Sequence, residues 1–307
     1  MTESFRDARL TEQRNPATAA IDAASPQAIV RLINAEDARV PAAVAAASAE
    51  IARLIELTEA AFRNGGRLIY VGAGTSGRLG VLDATECPPT YGSPPDMVVG
   101  LIAGGPPALV RSVEGAEDDP AAGEAALADL GVTARDVIVG VAASGTTPYV
   151  GGALELARRI GAATALVTCA EPPARMREIC DVLVVVLVGP EAITGSTRMK
   201  AGTATKLVLN TLTTGAMVRL GKTWGNLMVD LRAWNEKLVD RSERIMMETT
   251  ELPRREAREV LDAAGGRVKP AIVMARCNVS LEEADRLIDD ANGRLRAVLG
   301  DPPGVAS

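Results

Sequence analysis

The 307-residue chain contains no histidine. That absence excludes imidazole general bases, Ser-His-Asp triads and every His-containing metal site. Proton transfer near neutral pH therefore falls to carboxylates, lysine, tyrosine or cysteine. Aromatic residues make up only 2% of the chain, so aliphatic and alanine side chains must build its core. The four cysteines, Cys87, Cys169, Cys180 and Cys277, form no CxxC pair. They sit in or beside apolar segments and are expected to be reduced and structural. Positive charge is in the minority, with Lys+Arg 33 against Asp+Glu 39 and a net charge of -6, which argues against nucleic acid as a partner. No apolar run approaches the ~18 residues that span a bilayer. The N-terminal residues Glu3, Arg6, Asp7 and Arg9 leave no apolar targeting segment. No membrane partner is expected, and the expected compartment is the cytoplasm.

What remains is ordinary globular composition, 47% hydrophobic and 23% charged, long enough for two domains or one large domain with an appendage. Between residues 25 and 64, Ile29, Ile33, Val40, Val44, Ile51, Ile55 and Leu57 recur at helix-compatible intervals, and Pro41 marks a break or a helix start. The periodicity then changes. Short β-rich runs at 67–71, 97–102, 137–141, 163–168 and 182–188 are separated by segments long enough for crossover helices. Five such runs without strict alternation predict an α/β fold, a doubly wound parallel five-stranded sheet with ligands beyond the carboxyl ends of its strands. A long helix is expected over 199–219, a break over 221–225, and a further helix over 227–247. The last segment, 253–299, reads as three short helices, with Ser280 and Glu283 fitting a capping box. The division is thus a helical N-terminal segment (1–50), an α/β domain with its following helix (51–248), and a small three-helix C-terminal appendage (249–307).

Gly72, Gly74 and Gly77 satisfy GxGxxG directly after the first strand. The acid that a nicotinamide enzyme needs at the end of its second strand is missing, because that strand ends in Ile102-Ala103-Gly104-Gly105. The same loop suits a phosphate monoester, held by glycine-freed backbone N–H groups and the hydroxyls of Thr75 and Ser76. Ser144, Gly145, Thr146 and Thr147 repeat that chemistry after the third strand. Each serine alone would be read as a helix N-cap. Two such loops at one edge of a parallel sheet favour a phosphosugar. A third polar run, Thr194 to Lys200, contains Ser196 and opens the long helix with the cations Arg198 and Lys200, which are disfavoured at that end unless an anion is present.

Among the carboxylates, Glu86 stands out. A helix beginning near Ser76 should stop before Pro88-Pro89, which places Glu86 in its last turn, at the negative end of the dipole, a position suited to a proton donor. Glu114, Glu117, Asp118 and Asp119 follow the second strand. Asp119 before Pro120 reads as an N-cap. Either Glu114 or Glu117 can face Glu86 across a bound sugar and divide acid and base roles with it.

At these motifs the chain resembles the N-acetylmuramic acid 6-phosphate etherases, a family within the sugar isomerase domain superfamily. The strings that carry the resemblance are NPAT at 15–18, GGRLIYVGAGTSGRLGVLDATECPPTYG at 65–92, VGLIAGG at 99–105, VEGAEDD at 113–119, ITGSTRMKAGTATKLVLN at 193–210 and GNLMVDL at 225–231. The resemblance implies cleavage of the D-lactyl ether of a phosphorylated amino sugar in cell-wall recycling. It implies Glu86 as proton donor, Glu117 as second active-site carboxylate, and Ser76, Ser144 and Thr147 as phosphate contacts; Thr75, Gly145 and Ser196, read from the same polar loops, join them as candidate substrate contacts. It implies no metal or organic cofactor, and a homodimer. The alternatives are a non-catalytic sugar-phosphate-sensing regulator of the same superfamily and an aldose-ketose isomerase. Two departures stand out: Thr146 where the family more often has arginine (SGRTPY), and Trp234 in AWNEKL where ATNEKL is expected.

Overall fold

Ser25 starts the first helix. Its Oγ accepts from the Ala28 amide at 3.3 Å, and Pro26 supplies a preset φ at the first helical position. The computed structural model describes residues 9–231 and 236–304; Glu3, Arg6, Asp7 and Trp234 lie outside the described residues. Helices α1 (Pro26–Asp37), α2 (Val40–Ala46) and α3 (Ser48–Arg63) follow one another, with Pro41 in the first turn of α2. On α3, Ile51, Leu54, Thr58 and Ala61 share the buried face, and the helix packs on strands β1, β3 and β5 of the sheet that follows.

That sheet consists of β1 (Leu68–Gly72), β2 (Val98–Ile102), β3 (Val137–Val141), β4 (Ala163–Thr168) and β5 (Val182–Val185). All neighbours are parallel and the order is β2-β1-β3-β4-β5. Crossovers are supplied by α4 (Gly74–Tyr91), α5 (Pro120–Asp129), α6 (Pro148–Ile160) and α7 (Ala174–Ile179). Ile69, Val71, Ile138 and Leu166 pack with Leu127, Val150 and Leu154 of α5 and α6 into one aliphatic core. The order reverses at β1, where Gly72 pairs with both Ile102 and Val141, so the loops after β1, β2 and β3 leave the sheet side by side. This is the switch point at which open α/β sheets bind ligands.

Two glycines of the GxGxxG string serve packing. A Cβ at Gly72 would lie 2.7 Å from the Gly77 nitrogen, and one at Gly77 would lie 2.7 Å from the Gly72 oxygen, so strand end and helix start touch backbone to backbone.

Helix α4 does not stop before the prolines. It runs through Pro88 and Pro89 to Tyr91 and closes with the Gly92 amide on the Pro88 carbonyl at 2.9 Å. Neither proline has an N–H to offer the carbonyl four residues back, and the helix carries that cost near its end. Glu86 therefore precedes the last helical residue by five positions and is not in the final turn.

After β5 the long helix α8 (Lys200–Arg219) forms as expected. The expected helix over 227–247 is shorter at its start. Thr223–Trp224 (β6) and Leu227–Met228 (β7) form an antiparallel hairpin around Gly225-Asn226, with Gly225 at φ 57, and α9 spans Glu236–Thr250. The C-terminal segment holds four helices, not three: α10 (Arg254–Ala263), α11 (Val268–Cys277), α12 (Leu281–Asp290) and α13 (Leu295–Leu299). Ser280 caps α12 through the Glu283 amide at 3.2 Å, while the Glu283 carboxylate pairs with Arg286, so the capping box is half formed.

By its contacts the chain divides into two compact units, one of residues 9–84 with 96–213 and a second of 85–95 with 214–304. The divisions between them in the chain fall inside α4, at 84/85, after α4, at 95/96, and inside α8, at 213/214. The second unit has its own core of Trp224, Val229, Ile245, Met246, Leu261 and Ile272, and the Trp224 indole donates to the Gly300 carbonyl at 3.0 Å. No helix among the described residues is long and apolar enough to cross a membrane.

Candidate functional site

The loop after β1 is short, and α4 opens at once. Thr75 and Ser76 sit partly buried in its first turn, where the backbone amides have no intrahelical acceptor. Ser76 lies two residues inside the helix, so the N-cap reading does not apply to it. A Cβ built at Gly202, in the first turn of α8, would lie 3.5 Å from Thr75 Cγ2, so the starts of α4 and α8 are neighbours.

The loop after β3 is a tight turn. The Gly145 amide donates to the Ala142 carbonyl at 2.9 Å, and Gly145 adopts φ 72. Ser144 Oγ and Thr146 Oγ1 lie 3.0 Å apart. The N-cap of α6 is Thr147, without a side-chain capping bond, so Ser144 is not a cap either.

After β2 the chain makes a 3-10 turn over Pro106–Leu109 and a second over Ala116–Asp118. Glu114 and Glu117 are exposed there, and left-handed Gly115 separates them. Asp119 is the N-cap that its sequence implies, accepting from the amides of Ala121 and Ala122 at 2.9 and 3.1 Å. The structure brings Glu114, Glu117, Gly74 and Arg78 to one pocket of about 160 Å³. Arg78 donates from Nε to the Leu109 carbonyl at 3.1 Å and from Nη2 to the Arg111 carbonyl at 3.4 Å. Glu86 is exposed on α4, in the part of that helix belonging to the second unit.

Ser196 is half-buried in the turn that precedes α8, its amide on the Ile193 carbonyl at 3.0 Å. The NPAT segment pins this turn: Asn15 Nδ2 donates to the Pro190 carbonyl at 3.1 Å and Thr18 Oγ1 to the Ala192 carbonyl at 2.8 Å. The helix start is capped by Glu191, which accepts from the amides of Lys200 and Ala201 at 3.0 and 2.9 Å. Burial pushes the Glu191 carboxyl above its ordinary range. Lys200 is not a solvated or ligand-seeking cation. It is fully buried and ion-paired with Glu36. Burial alone would raise the Glu36 carboxyl, but Lys200, Asn15 and Arg39 hold it below its usual value.

One structural residue near the site went unremarked in the sequence. Asp83, buried on α4, accepts from Tyr70 Oη at 2.8 Å, Asn210 Nδ2 at 2.6 Å and Thr213 Oγ1 at 3.1 Å, tying β1, α4 and α8 together. Its signal was the DATEC string itself, three residues ahead of Glu86. The cysteines are not uniformly buried: Cys87 and Cys169 are, Cys180 is half-buried and Cys277 is exposed. Burial pushes the thiols of Cys169 and Cys180 up to about 12, so neither is a thiolate near neutral pH.

A larger cavity of about 710 Å³ lies in the second unit. Its cations are already paired, Lys222 and Lys269 sharing Asp230 at 3.1 and 2.6 Å and Arg267 in a fork on Asp285. Burial lowers Lys269 from its ordinary value.

Residues 50–158 match the model of the glucokinase regulatory protein N-terminal SIS domain. A solved phosphoheptose isomerase from Francisella tularensis superposes with a TM-score of 0.52 at 15% identity, over 64% of this chain and 100% of that one, which is a likeness of fold. At the level of sequence the agreement runs much further. The N-acetylmuramic acid 6-phosphate etherase of Serratia proteamaculans is 53% identical over 95% of this chain and 98% of its own length. That of Yersinia pestis (strain Pestoides F) is 54% identical over 95% and 99%. With its parallel sheet, its switch-point loops and this nearly end-to-end identity, the chain belongs to the N-acetylmuramic acid 6-phosphate etherase family.

Proposed function

We propose that the chain cleaves the D-lactyl ether of N-acetylmuramic acid 6-phosphate, giving N-acetylglucosamine 6-phosphate and D-lactate in the recycling of cell-wall amino sugars. The observation that carries this reading is the 53% identity over 95% of the chain to an etherase. The geometry supports it from a second side. Three loops at one switch point offer helix-start amides, paired hydroxyls and carboxylates, the groups that a phosphorylated sugar with an acid-base reaction requires.

The chemistry follows from the substrate. An ether resists direct hydrolysis, but in the open-chain sugar the C2 hydrogen is α to the C1 aldehyde and the lactyl oxygen on C3 is β to it. In this reading Glu117 takes the C2 proton and the C2–C3 double bond forms. The C3–O bond breaks with its electron pair going to the lactyl oxygen, which Glu86 protonates. Water then adds at C3 and a proton returns to C2. Each positioned transfer contributes on the order of 10²- to 10⁴-fold. Thr75, Ser76, Ser144, Gly145, Thr147 and Ser196 are assigned to the phosphosugar, with the amides opening α4 favouring an anion. Neither a metal nor an organic cofactor enters this scheme. We place the enzyme in the cytoplasm as a homodimer, the commonest closed oligomer.

A sugar-phosphate sensor is the competing reading, favoured by the regulatory-protein domain match over 50–158. The etherase relatives span nearly the whole chain, and Glu86 and Glu117 are both present, which a sensor does not need. Incubating purified protein with N-acetylmuramic acid 6-phosphate and assaying D-lactate decides between them. Stoichiometric lactate is expected, and binding of the sugar without lactate release would overturn the etherase reading. An aldose-ketose isomerase would release no lactate.

A further inference from the structure

We propose that Arg78 forms a subsite for the carboxylate of the substrate's lactyl arm, and so selects the ether that is cleaved. The inference rests on the etherase reading and deepens it.

Three observations converge on this residue. Arg78 is the cation among the residues lining the pocket with Glu114 and Glu117, and its hydrogen bonds go to backbone carbonyls. Its side chain is oriented from one edge, by the Nε and Nη2 bonds to the carbonyls of Leu109 and Arg111. Those carbonyls take two of its five N–H donors, which leaves the fork able to receive a planar carboxylate. The contrast with the larger cavity is direct, since every cation named there already has a carboxylate partner.

The size of the pocket fits a small arm. Its volume is about 160 Å³. A three-carbon carboxylate fits such a space. An entire phosphosugar does not, because pockets for whole ligands run roughly 300–1,000 Å³. One wall is apolar, with Ala108 and Val113 suited to the lactyl methyl.

The reaction also demands a cation at this place. The proton to be removed is on C2 and the lactyl ether is on C3, so a base that reaches C2 has the lactyl arm as its immediate neighbour. That arm brings a negative charge beside Glu114 and Glu117. Without a compensating cation the substrate would be repelled from the base that must act on it. Arg78 supplies that charge from the first turns of α4, whose amide end is itself favourable to anions.

The test compares two substrates in two proteins. N-Acetylmuramic acid 6-phosphate and its lactyl carboxamide differ only at the group in question, a charged acceptor in one and a neutral amide in the other. Wild-type enzyme should release lactate or lactamide with kcat/KM roughly 10- to 100-fold higher for the acid, the range a charge-assisted fork provides. In Arg78→Gln that preference should fall to about threefold or less. A residue that only props the loop carrying Glu117 would lower both substrates equally and leave the ratio intact, and that result overturns the proposal. Where Arg78→Gln does not fold, Arg78→Lys and the wild-type comparison decide. Arg78→Lys keeps the charge and loses the fork, so an intermediate ratio is expected; equal wild-type rates on acid and amide would overturn the subsite. Failure of the wild type to release lactate from the acid sinks the etherase reading instead, so the two failures are distinguishable.

Discussion

Arg9 donates from Nη1 to Oγ1 of Thr146, 137 positions further along the chain, over 3.4 Å. Thr146 stands where the family more often has arginine, in the loop assigned to the phosphate, and the contact brings a guanidinium from the N-terminal segment to that loop. Arg9→Ala should therefore raise KM for the phosphosugar roughly three- to tenfold with little change in kcat, the pattern of a lost binding contact. Adding Thr146→Arg to Arg9→Ala should recover most of the affinity. Steady-state kinetics on the three proteins measures both effects, and an unchanged KM in Arg9→Ala removes Arg9 from the phosphate loop.

The carboxylates separate by role. Glu86→Gln and Glu117→Gln should each lower turnover by at least ~100-fold while the protein stays folded, because in the proposed scheme each carries one proton transfer. Glu114→Gln shares the pocket of Glu117 but carries no assigned transfer, so it should cost much less. Asp119→Asn keeps an oxygen for the amides of Ala121 and Ala122 and serves as a control on folding. Near-normal turnover in either Glu86→Gln or Glu117→Gln would remove that residue from its role.

Much of this site was legible in the sequence because it is local. A β-run followed by small residues and hydroxyls defines a strand, a loop and a helix start within a dozen positions, which makes the loops after β1 and β3 legible, while the loop after β2 is legible from its carboxylates. What escaped depends on partners distant in the chain. Lys200 read as a cation at a helix start, yet its partner Glu36 lies 164 positions away and makes it a buried structural charge. Helix α4 passes through Pro88 and Pro89 because two lost hydrogen bonds near a helix end are a tolerable cost when the rest of an 18-residue helix is packed. The β6–β7 hairpin hid behind a helix-compatible apolar pattern, although Gly225-Asn226 is a hairpin turn signal.

Acid stability should depend on Asp136. It is buried, accepts from the amides of Arg67 and Thr133 at 2.8 Å each, and pairs with the Arg67 guanidinium at 2.9 Å. Burial alone would raise its pKa, but these partners hold it below the ordinary carboxylate value. The sign follows from linkage. With the folded pKa below the unfolded one, the stabilisation is fully present above about pH 4 and is lost as pH falls through the folded value. Glu36, lowered by Lys200, adds in the same direction. Asp136→Asn should thus destabilise the protein by roughly 2–3 kcal/mol at pH 7 and flatten the loss of stability below about pH 4. Urea denaturation across pH 3–7 tests this, and an Asn variant with the wild-type pH slope would refute it.

The last prediction concerns where solvent atoms end, because it tests the route and not only the products. In elimination followed by hydration, the bond between the lactyl carbon and its oxygen never breaks. Cleavage in H₂¹⁸O must then place the heavy oxygen on C3 of the sugar and none in the lactate. Direct displacement at the lactyl carbon does the reverse, so heavy oxygen in the lactate would sink the elimination scheme. In D₂O the sugar should gain deuterium at C2, provided that Glu117 exchanges its proton with solvent before the proton is returned. Glu117 is exposed and lines the pocket, so solvent reaches its carboxylate. Ser76→Ala and Ser144→Ala should slow the reaction at low substrate and leave both labels in place, because their hydroxyls are assigned to the phosphate and not to proton transfer at C2 or C3. A change of labelling in either serine variant would mean that the hydroxyl takes part in the bond-breaking steps.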